Sequence, residues 1–292
     1  MGIFQRFLLG VWNIGMIEQS AKELLKGTPY TIRWLKHPYR DRFFADPFLL
    51  SEDQEHYHIV AEEYPFYTNK GRIVCLQVHK KSMKLAARTL LIEAPHHLSY
   101  PIVYNGKIIP EAYRSGKCCA YDKDTLAQTV IAPFGLIDQT FLRRDGLEWV
   151  FAADISDPLQ KLNIFYKAPD EDTWHPHRQN PVKTCIHTAR PGGNFFTVDG
   201  VLYRPVQDSE GCYGRYIRIM RVDTLTPDEF SETEVAMFSS EHAPPYTMGL
   251  HTFNPANGFV VVDGYREYHS FITKPLCLKA KKLMKFLGER NA

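Results

Sequence analysis

The segment Phe43–His79 reads FFADPFLLSEDQEHYHIVAEEYPFYTNKGRIVCLQVH. It alternates short runs of aromatic and branched aliphatic residues with clusters of Ser, Glu, Asp, Asn and Gly. Runs of this length, bounded by turn-forming residues, are typical of β-strands joined by hairpins. The segment therefore predicts a meander of antiparallel strands.

The same pattern returns further along the chain, each time with a polar residue near the start of its first strand. The later copies open with HLSYPIVYNG (97–106), LIDQTFLRRDG (136–146), ARPGGNFFTVDG (189–200) and GLHTFNPANG (249–258). A degenerate repeat of short strands, spaced by roughly 40 to 60 residues, is typical of propeller blades. We therefore predict an all-β, five-bladed β-propeller whose blades open near residues 46, 99, 138, 190 and 251.

The fifth copy of the repeat ends after two strands, which would leave a blade with exposed edges. The N-terminal runs VWNIGMI and YTIRWLK are the available donors of the missing strands. We predict that residues 11–36 close the last blade and that residues 1–292 form a single propeller domain. Short helices are predicted at 17–26 and at 278–292, where the periodicity changes.

Composition and charge limit the classes of function. The chain has 292 residues, of which 44% are hydrophobic, so a disordered chain is excluded. Its formal net charge of +2 provides no strong field for binding nucleic acid, and none is predicted as a partner. The six cysteines lack the spacing of a metal site, so we predict no metal and no cofactor.

The cysteines are interpreted as reduced thiols, which places the protein in the cytoplasm. The alternative left open is a signal peptide in the short apolar N-terminal run, although that run lacks a small-residue cleavage site. The C-terminal segment LKAKKLMKFLGER is basic and amphipathic. We interpret it as a solvated helix, and contact with a membrane surface is the weaker alternative.

The chemistry is expected on the inner strands, because the first strand of each propeller blade lines the central channel. Polar side chains repeat there and on the second strands, and residues at equivalent positions of a ring converge on one pocket. Of the adjacent pair Glu62 and Glu63, strand alternation lets only one face the channel, and we assign Glu63 to it.

These motifs resemble the N-terminal propeller of the plant glucosamine inositolphosphorylceramide transferases, which also occurs beside bacterial formyltransferase-like domains. The resemblance rests on FADPFL, HHLSYP, a Pro-Glu strand, an Ile-Asp-x-Thr-Phe strand, ARPGG, RPVQD and a late G-x-H-T, in that order. It implies a role in glycan metabolism, with a separate glycosyltransferase or formyltransferase as a possible partner. More distantly, the chain is similar to the five-bladed arabinanase, xylosidase and fructosidase superfamily.

The superfamily resemblance implies a catalytic trio. In FADPFL, Asp46 matches the general base or nucleophile, and Asp138 in LIDQTF resembles the residue that tunes the acid. Gln139 replaces the usual Pro after that second Asp, and Glu111, our choice for the acid, lies on a second strand. Glycosidic cleavage needs one carboxylic acid and one carboxylate, whose separation sets retention or inversion.

The remaining pocket residues are predicted to bind substrate. Arg190 and Arg204 are expected to hold a carboxylate or phosphate group of the substrate. Stacking faces for sugar rings are expected from Tyr100, Tyr113 and Tyr213. The complete predicted binding set is Glu63, Tyr100, Arg190, Arg204, Gln207, Asp208, Tyr213 and His251.

These observations predict a carbohydrate-active protein, with hydrolysis of a glycosidic bond as the leading hypothesis. The first alternative is a non-catalytic module that binds a sugar or nucleotide sugar and assists a separate transferase. The second is a protein-interaction propeller, which would not need so many charges at its channel mouth. Neither the sugar nor the oligomeric state follows from the sequence.

Overall fold

The computed structural model describes residues 8–270, together with Lys274, Leu276 and Lys279. Strands of the described residues form five antiparallel sheets that are arranged as the blades of a propeller. The predicted all-β, five-bladed fold is thereby confirmed. Of the helix predicted at 278–292, only Lys279 is described, and it is helical. Within the described residues there is no helix with the length and apolar character of a membrane span.

The chain builds its blades in sequence order after an N-terminal segment. That segment contains β1 (Leu8–Ile17), α1 (Ala21–Leu25) and β2 (Arg33–Trp34). Blade 1 contains β3 (Arg42–Glu52), β4 (His56–Pro65), β5 (Arg72–His79) and β6 (Leu85–Ile92). Blade 2 contains β7 (Ser99–Tyr104), β8 (Lys107–Glu111), β9 (Cys118–Asp122) and β10 (Gln128–Ala132).

The next two blades have the same order from the inside to the outside. Blade 3 contains β11 (Ile137–Arg144), β12 (Leu147–Ala153) and β13 (Lys161–Lys167), and β13 pairs with both β14 (His175–Pro176) and β15 (Lys183–Thr184). Blade 4 contains β16 (Phe196–Val198), β17 (Val201–Asp208), β18 (Tyr216–Leu225) and β19 (Phe230–Phe238). The inner strand β16 therefore begins after Arg190, where the sequence had placed the blade opening.

Blade 5 combines strands from the two ends of the described chain. The inner strands are β20 (Phe253–Ala256) and β21 (Phe259–His269), and β1 pairs with β21 from Leu8 opposite His269 to Ile17 opposite Val260. On the outer side of β1, Gly15 lies opposite Trp34 of β2. The prediction that N-terminal strands close the propeller is confirmed.

The predicted helix at 17–26 is wrong at its start. Ile17 is the last residue of β1, because the backbone from Leu8 to Ile17 is used in the ladder with β21. The helix begins only at Ala21, after Ser20, whose hydroxyl accepts a hydrogen bond from the Glu23 amide while the Glu23 carboxylate accepts one from the Ser20 amide. This reciprocal cap marks the boundary that the apolar pattern did not.

The hydrophobic core consists of layers between neighbouring blades. Blades 5 and 1 share one layer that includes Ile14, Phe44 and Val261. Equivalent apolar clusters lie between blades 1 and 2, 2 and 3, 3 and 4, and 4 and 5. Every seam of the ring is therefore filled, and this packing holds the inner strands around a common centre.

The closing seam provides a test of the fold. Ile14 of β1 is fully buried in the layer against blade 1. Ile14→Ala should lower the free energy of unfolding by about 2–5 kcal/mol, because it leaves a cavity in a close-packed layer. Val130→Ala on the exposed strand β10 is the matched control and should unfold like the wild type in a denaturant titration. Equal stabilities of the two variants would contradict closure through β1.

Candidate functional site

Three inner strands carry an irregularity at the same place. The pairing register shifts between Ala45 and Phe48 in β3, and at the equivalent points in β7 and β11. Within these shifts Asp46, Tyr100 and Asp138 have φ angles of 50°, 41° and 46°. Bulges of this kind re-aim side chains, and Asp tolerates the left-handed region better than Tyr does. The backbone is therefore strained at corresponding positions of three inner strands.

A pocket of about 340 Å³ lies where these bulged segments converge. From the predicted set it brings together Asp46, Glu111, Asp138, Arg190, Tyr213 and His251. It is also lined by Trp12, Phe43, Ala45, Glu62, Tyr64, His97, Ser99 and Tyr113. All three carboxylates that were predicted as catalytic therefore meet in one pocket, although their roles remain predictions.

Asp46 belongs to a chain of buried polar groups. Its Oδ1 lies 3.5 Å from Nε2 of His251, and Nδ1 of that histidine lies 2.6 Å from Oδ2 of Asp263. The other Asp46 oxygen accepts a hydrogen bond from the Tyr100 amide at 3.1 Å. The ring of Trp12 stacks on the imidazole, with centroids 3.8 Å apart. These contacts fix both the carboxylate and the imidazole in one orientation.

The electrostatics of this chain differ from those of a solvated carboxylate. Burial, together with the charges of Asp263 and Asp138, raises the pKa of Asp46 to about 7, against the opposing charge of His251. Burial lowers the pKa of His251, but the charges of Asp263 and Asp46 outweigh it and leave the pKa raised. Asp46 can therefore exchange a proton near neutral pH, as a general base must.

Asp46, His251 and Asp263 also place three possible metal-ligand atoms within 4.8 Å of one another. A cation between such atoms would sit about 2.0–2.6 Å from each. The Nδ1 to Oδ2 separation of 2.6 Å is instead that of a direct ion-pair contact. In this geometry the three groups interact with each other.

Asp138 is held by partners from blade 4. Its Oδ2 accepts hydrogen bonds from Nε of Arg190 at 2.6 Å and from Nε2 of Gln207 at 2.9 Å. The Asp138 amide donates to the Glu111 carboxyl at 3.3 Å. The Glu111 carboxyl therefore lies next to the Asp138 backbone, and only the Asp138 carboxylate has a guanidinium partner among the described residues.

The remaining two acids of the pocket are driven towards the protonated form. Burial, then the charge of Asp138 and a hydrogen bond with it, raise the pKa of Glu111 well above its ordinary value. Burial, followed by the charges of Asp46 and Glu111, raises the pKa of Glu62 in the same way. The pocket therefore contains carboxyl groups whose environments have pushed their proton affinities apart, which is the condition for acid and base roles.

The structure places Glu62, and not the predicted Glu63, in the lining of the pocket. Its Oε1 accepts no hydrogen bond from any described residue and lies 3.6 Å from Nε2 of His97. The other ring nitrogen of that histidine accepts a hydrogen bond from the Gly71 amide, which leaves the proton on the nitrogen that faces Glu62. Strand alternation showed that one of the two glutamates faces inward, but not which one.

Glu63 points away from the pocket. Its fully buried carboxylate accepts hydrogen bonds from Arg42, Arg72 and Arg88, which come from three other strands of blade 1. Three guanidinium groups around one carboxylate lower the pKa of Glu63 despite its burial. Its assignment to substrate binding was wrong because these arginines reach it only in the folded blade.

Other predicted binding residues also lie outside the pocket lining. Arg204 is buried and donates to Glu232, and Asp208 accepts from Arg218. Gln207 donates a hydrogen bond to Asp138, and the Tyr100 hydroxyl accepts a hydrogen bond from the Gly193 amide. These four residues stabilise blades or position pocket residues in this structure.

The aromatic lining was only partly predictable. Tyr213 was predicted, and its ring lies 5.3 Å from the Arg190 guanidinium carbon. Trp12 was missed because it lies on the closing strand, far in sequence from the other pocket residues. Tyr113, also predicted as a stacking face, lines the pocket as well, and Tyr64 adds a face that was not predicted. Rings around a polar centre are typical of sugar-binding pockets, where they stack on apolar sugar faces.

The buried position of Glu62 predicts an unusual pH dependence. Its pKa is about 4.5 in the unfolded chain and is raised on folding, so the folded state takes up a proton above that pH. Wild-type stability should therefore fall as pH rises above about 4.5, and Glu62→Gln should gain stability relative to the wild type by at most about 1.4 kcal/mol per pH unit. Urea unfolding between about pH 5 and about pH 7 measures this slope.

The matched control for Glu62→Gln is Glu55→Gln, which removes an exposed carboxylate from the turn before β4. The comparison of slopes, rather than of absolute stabilities, removes any constant cost of the amide. A slope for Glu62→Gln equal to that of the control would contradict the burial of a protonated carboxyl at this position.

Comparisons with known proteins agree with the motifs. The chain matches the family described as glucosamine inositolphosphorylceramide transferase 1, N-terminal, over residues 33–247. The transferase of that name from Arabidopsis thaliana is 31% identical over 208 residues, which are 66% of this chain and 27% of the relative. The protein from Oryza sativa subsp. japonica is 29% identical over 215 residues, 68% of this chain and 28% of the relative. The chain thus spans little more than a quarter of the length of these relatives.

Solved structures with a similar arrangement include glycoside hydrolases. A GH43_1 enzyme from Xanthomonas citri is 12% identical, with a TM-score of 0.49 over 78% of this chain and 88% of that one. Zg3597, a family 117 glycoside hydrolase from Zobellia galactanivorans, is also 12% identical, with a TM-score of 0.44 over 80% of this chain and 88% of that one. The family match covers most of the described residues, and the chain belongs to the family of glucosamine inositolphosphorylceramide transferase 1 N-terminal domains.

Proposed function

We propose that the acidic pocket binds a sugar of a glycoconjugate and hydrolyses its glycosidic bond, with Glu111 as the general acid and Asp46 as the general base. The observation that carries this proposal is the difference between their environments. Glu111 has a raised pKa and forms no ion pair with any cation of the described residues. Asp46 has a pKa of about 7 and contacts the His251 imidazole.

Side chains of the pocket can perform both proton transfers that hydrolysis of a glycosidic bond requires. Glu111 donates its proton to the leaving glycosidic oxygen, and Asp46 takes a proton from the water that adds to the anomeric carbon. The carboxylate of Asp138 accepts a hydrogen bond from Arg190, and its charge raises the pKa of Glu111. Glu111 therefore stays protonated before the proton transfer. Asp263 holds the imidazole whose positive charge stabilises ionised Asp46.

The charge of the pocket favours a sugar that carries a cation. Its lining contains Asp46, Glu62, Glu111 and Asp138, and Arg190 is the permanent cation among the lining residues. The ammonium group of a protonated amino sugar would donate to Glu62, whose buried Oε1 accepts no hydrogen bond from any described residue, and its positive charge would favour the ionised form of that carboxyl. The names of the plant relatives include glucosamine, and glucosamine or a glucosamine-bearing glycoconjugate is our proposed ligand.

The second candidate is binding without turnover, and one contact favours it. Arg190 donates to Asp138 at 2.6 Å, so part of the carboxylate set is already neutralised by the protein. In this case the propeller would hold a sugar or nucleotide sugar for a separate glycosyltransferase or formyltransferase. The cytoplasmic location predicted from the cysteines is compatible with either candidate.

Turnover separates the two candidates. With glucosamine-bearing glycosides as substrates, Glu111→Gln and Asp46→Asn should each lower the rate of sugar release by about 10²–10⁴-fold, because each removes one proton transfer. Calorimetric titration with glucosamine should still show binding to both variants. Asp199→Asn, at an exposed turn, is the control and should retain full activity.

The alternative outcomes are informative. Glucosamine binding without sugar release from any glycoside, in the wild type as in the variants, would support the binding module and reject hydrolysis. Absence of both binding and release would reject the proposed amino-sugar ligand.

A further inference from the structure

A second pocket of about 170 Å³ is lined by basic side chains. Its cations are Lys36, Arg40, Arg42 and Arg266, and its lining contains no carboxylate. Trp12 lines both this basic pocket and the acidic pocket described above. Two pockets of opposite charge therefore share one lining residue.

The charge of the basic pocket is largely uncompensated. Arg42 has partners of its own, because it donates to Asp41 and to Glu63. Among the described residues, Lys36, Arg40 and Arg266 form no ion pair with any acid. Three like charges around a small space repel each other and attract an anion.

Arg266 has a buried hydrogen-bond donor that no acceptor of the described residues satisfies. Its guanidinium lies over the rings of Tyr246 and Tyr268, at 4.8 Å and 5.1 Å from their centroids. Its Nε is buried and has no hydrogen-bond partner among the described residues. A buried guanidinium N–H without an acceptor is costly, and the side chain has no acceptor atom of its own to offer a neighbour.

The pKa of His37 is affected by the positive charges around this pocket. Burial, then the charges of Arg40, Arg266 and Arg42, lower the pKa of His37 to about 4. The imidazole is therefore neutral at physiological pH, and its Nδ1 is also buried without a partner. A neutral imidazole can donate one further hydrogen bond to an anion.

The size and donors of the basic pocket suit one oxyanion. Its volume is well below the roughly 300 Å³ at which pockets for whole drug-sized ligands begin. Planar guanidinium groups bind phosphate in bidentate fashion. A phosphomonoester carries about −1.5 to −2 charges at neutral pH, which matches several cations better than a singly charged carboxylate does.

We infer that the basic pocket binds the phosphoryl group of a ligand whose sugar occupies the acidic pocket, with which the basic pocket shares Trp12. The inference rests on the proposed sugar ligand and makes it a phosphorylated one. It also replaces the sequence-based expectation that Arg190 and Arg204 would hold a phosphate. Those two arginines are engaged by Asp138 and Glu232, whereas Arg40 and Arg266 are available.

Titration calorimetry of the intact protein with inorganic phosphate, glucosamine and the 1- and 6-phosphates of glucosamine tests the inference. Inorganic phosphate should bind, and one of the sugar phosphates should bind at least about tenfold more tightly than glucosamine, because two linked groups are held at once. Arg40→Gln and Arg266→Gln should each weaken phosphate binding about tenfold, since each removes a charge-assisted donor.

Matched variants guard against trivial losses. Arg178→Gln removes an arginine whose side chain is 79% exposed in blade 3, and should leave phosphate binding unchanged. Arg266→Lys keeps the charge and should bind phosphate better than Arg266→Gln does. Loss of binding in Arg178→Gln equal to that in Arg40→Gln would overturn the site, as would the absence of phosphate binding to the wild type.

The failures of the two proposals are distinguishable. Glucosamine binding without phosphate binding would overturn the basic pocket alone. Phosphate binding that depends on Arg40, without glucosamine binding, would overturn the sugar ligand and leave the anion site supported. Binding to phosphatidylinositol vesicles that depends on Arg40, with no preference for the sugar phosphates over phosphate, would assign the phosphoryl group to a lipid and overturn its link to the sugar.

Discussion

The ladder between β1 and β21 is the interaction on which the pocket depends. Ten consecutive residues of β1 pair with the strand that follows the innermost strand of blade 5. Without it, blade 5 would keep two strands, and the apolar layer between blades 5 and 1 would lose Ile14 and Met16. The inner strands converge only because the ring is closed, so a site assembled from every blade depends on this one contact.

Asp263 connects that closure with the site. It lies opposite Ile14 in the ladder, and its carboxylate accepts hydrogen bonds from the amides of His251 and Thr252 in blade 5 and of Asp46 in blade 1. The same carboxylate contacts the His251 imidazole. One buried side chain thus joins two blades across the seam and orients the polar groups on either side of it, which suits a preorganised site.

The pocket concentrates acids at a cost in stability, because each buried carboxyl must stay protonated or find a donor. The protein solves this differently for each group. Asp138 accepts from a guanidinium, Asp46 contacts an imidazole and accepts from a backbone amide, and burial raises the pKa of Glu62 and of Glu111. In the neighbouring basic pocket, Lys36, Arg40 and Arg266 form no ion pair with any acid of the described residues. The acidic and the basic pocket share Trp12 as a lining residue.

The sequence by itself determined the blades, their order, the donors of the closing strands and the convergence of Asp46, Glu111 and Asp138, because strand patterns and repeats are local properties. It could not decide between Glu62 and Glu63, or recognise that Arg190 binds Asp138. Those outcomes depend on which side chains of other strands come within reach, as the three arginines around Glu63 illustrate. Only the tertiary structure placed Trp12 beside His251 and left Arg40 and Arg266 without an acid partner in the described part of the chain, since hydrogen bonding and burial are set by neighbours that are distant in the chain.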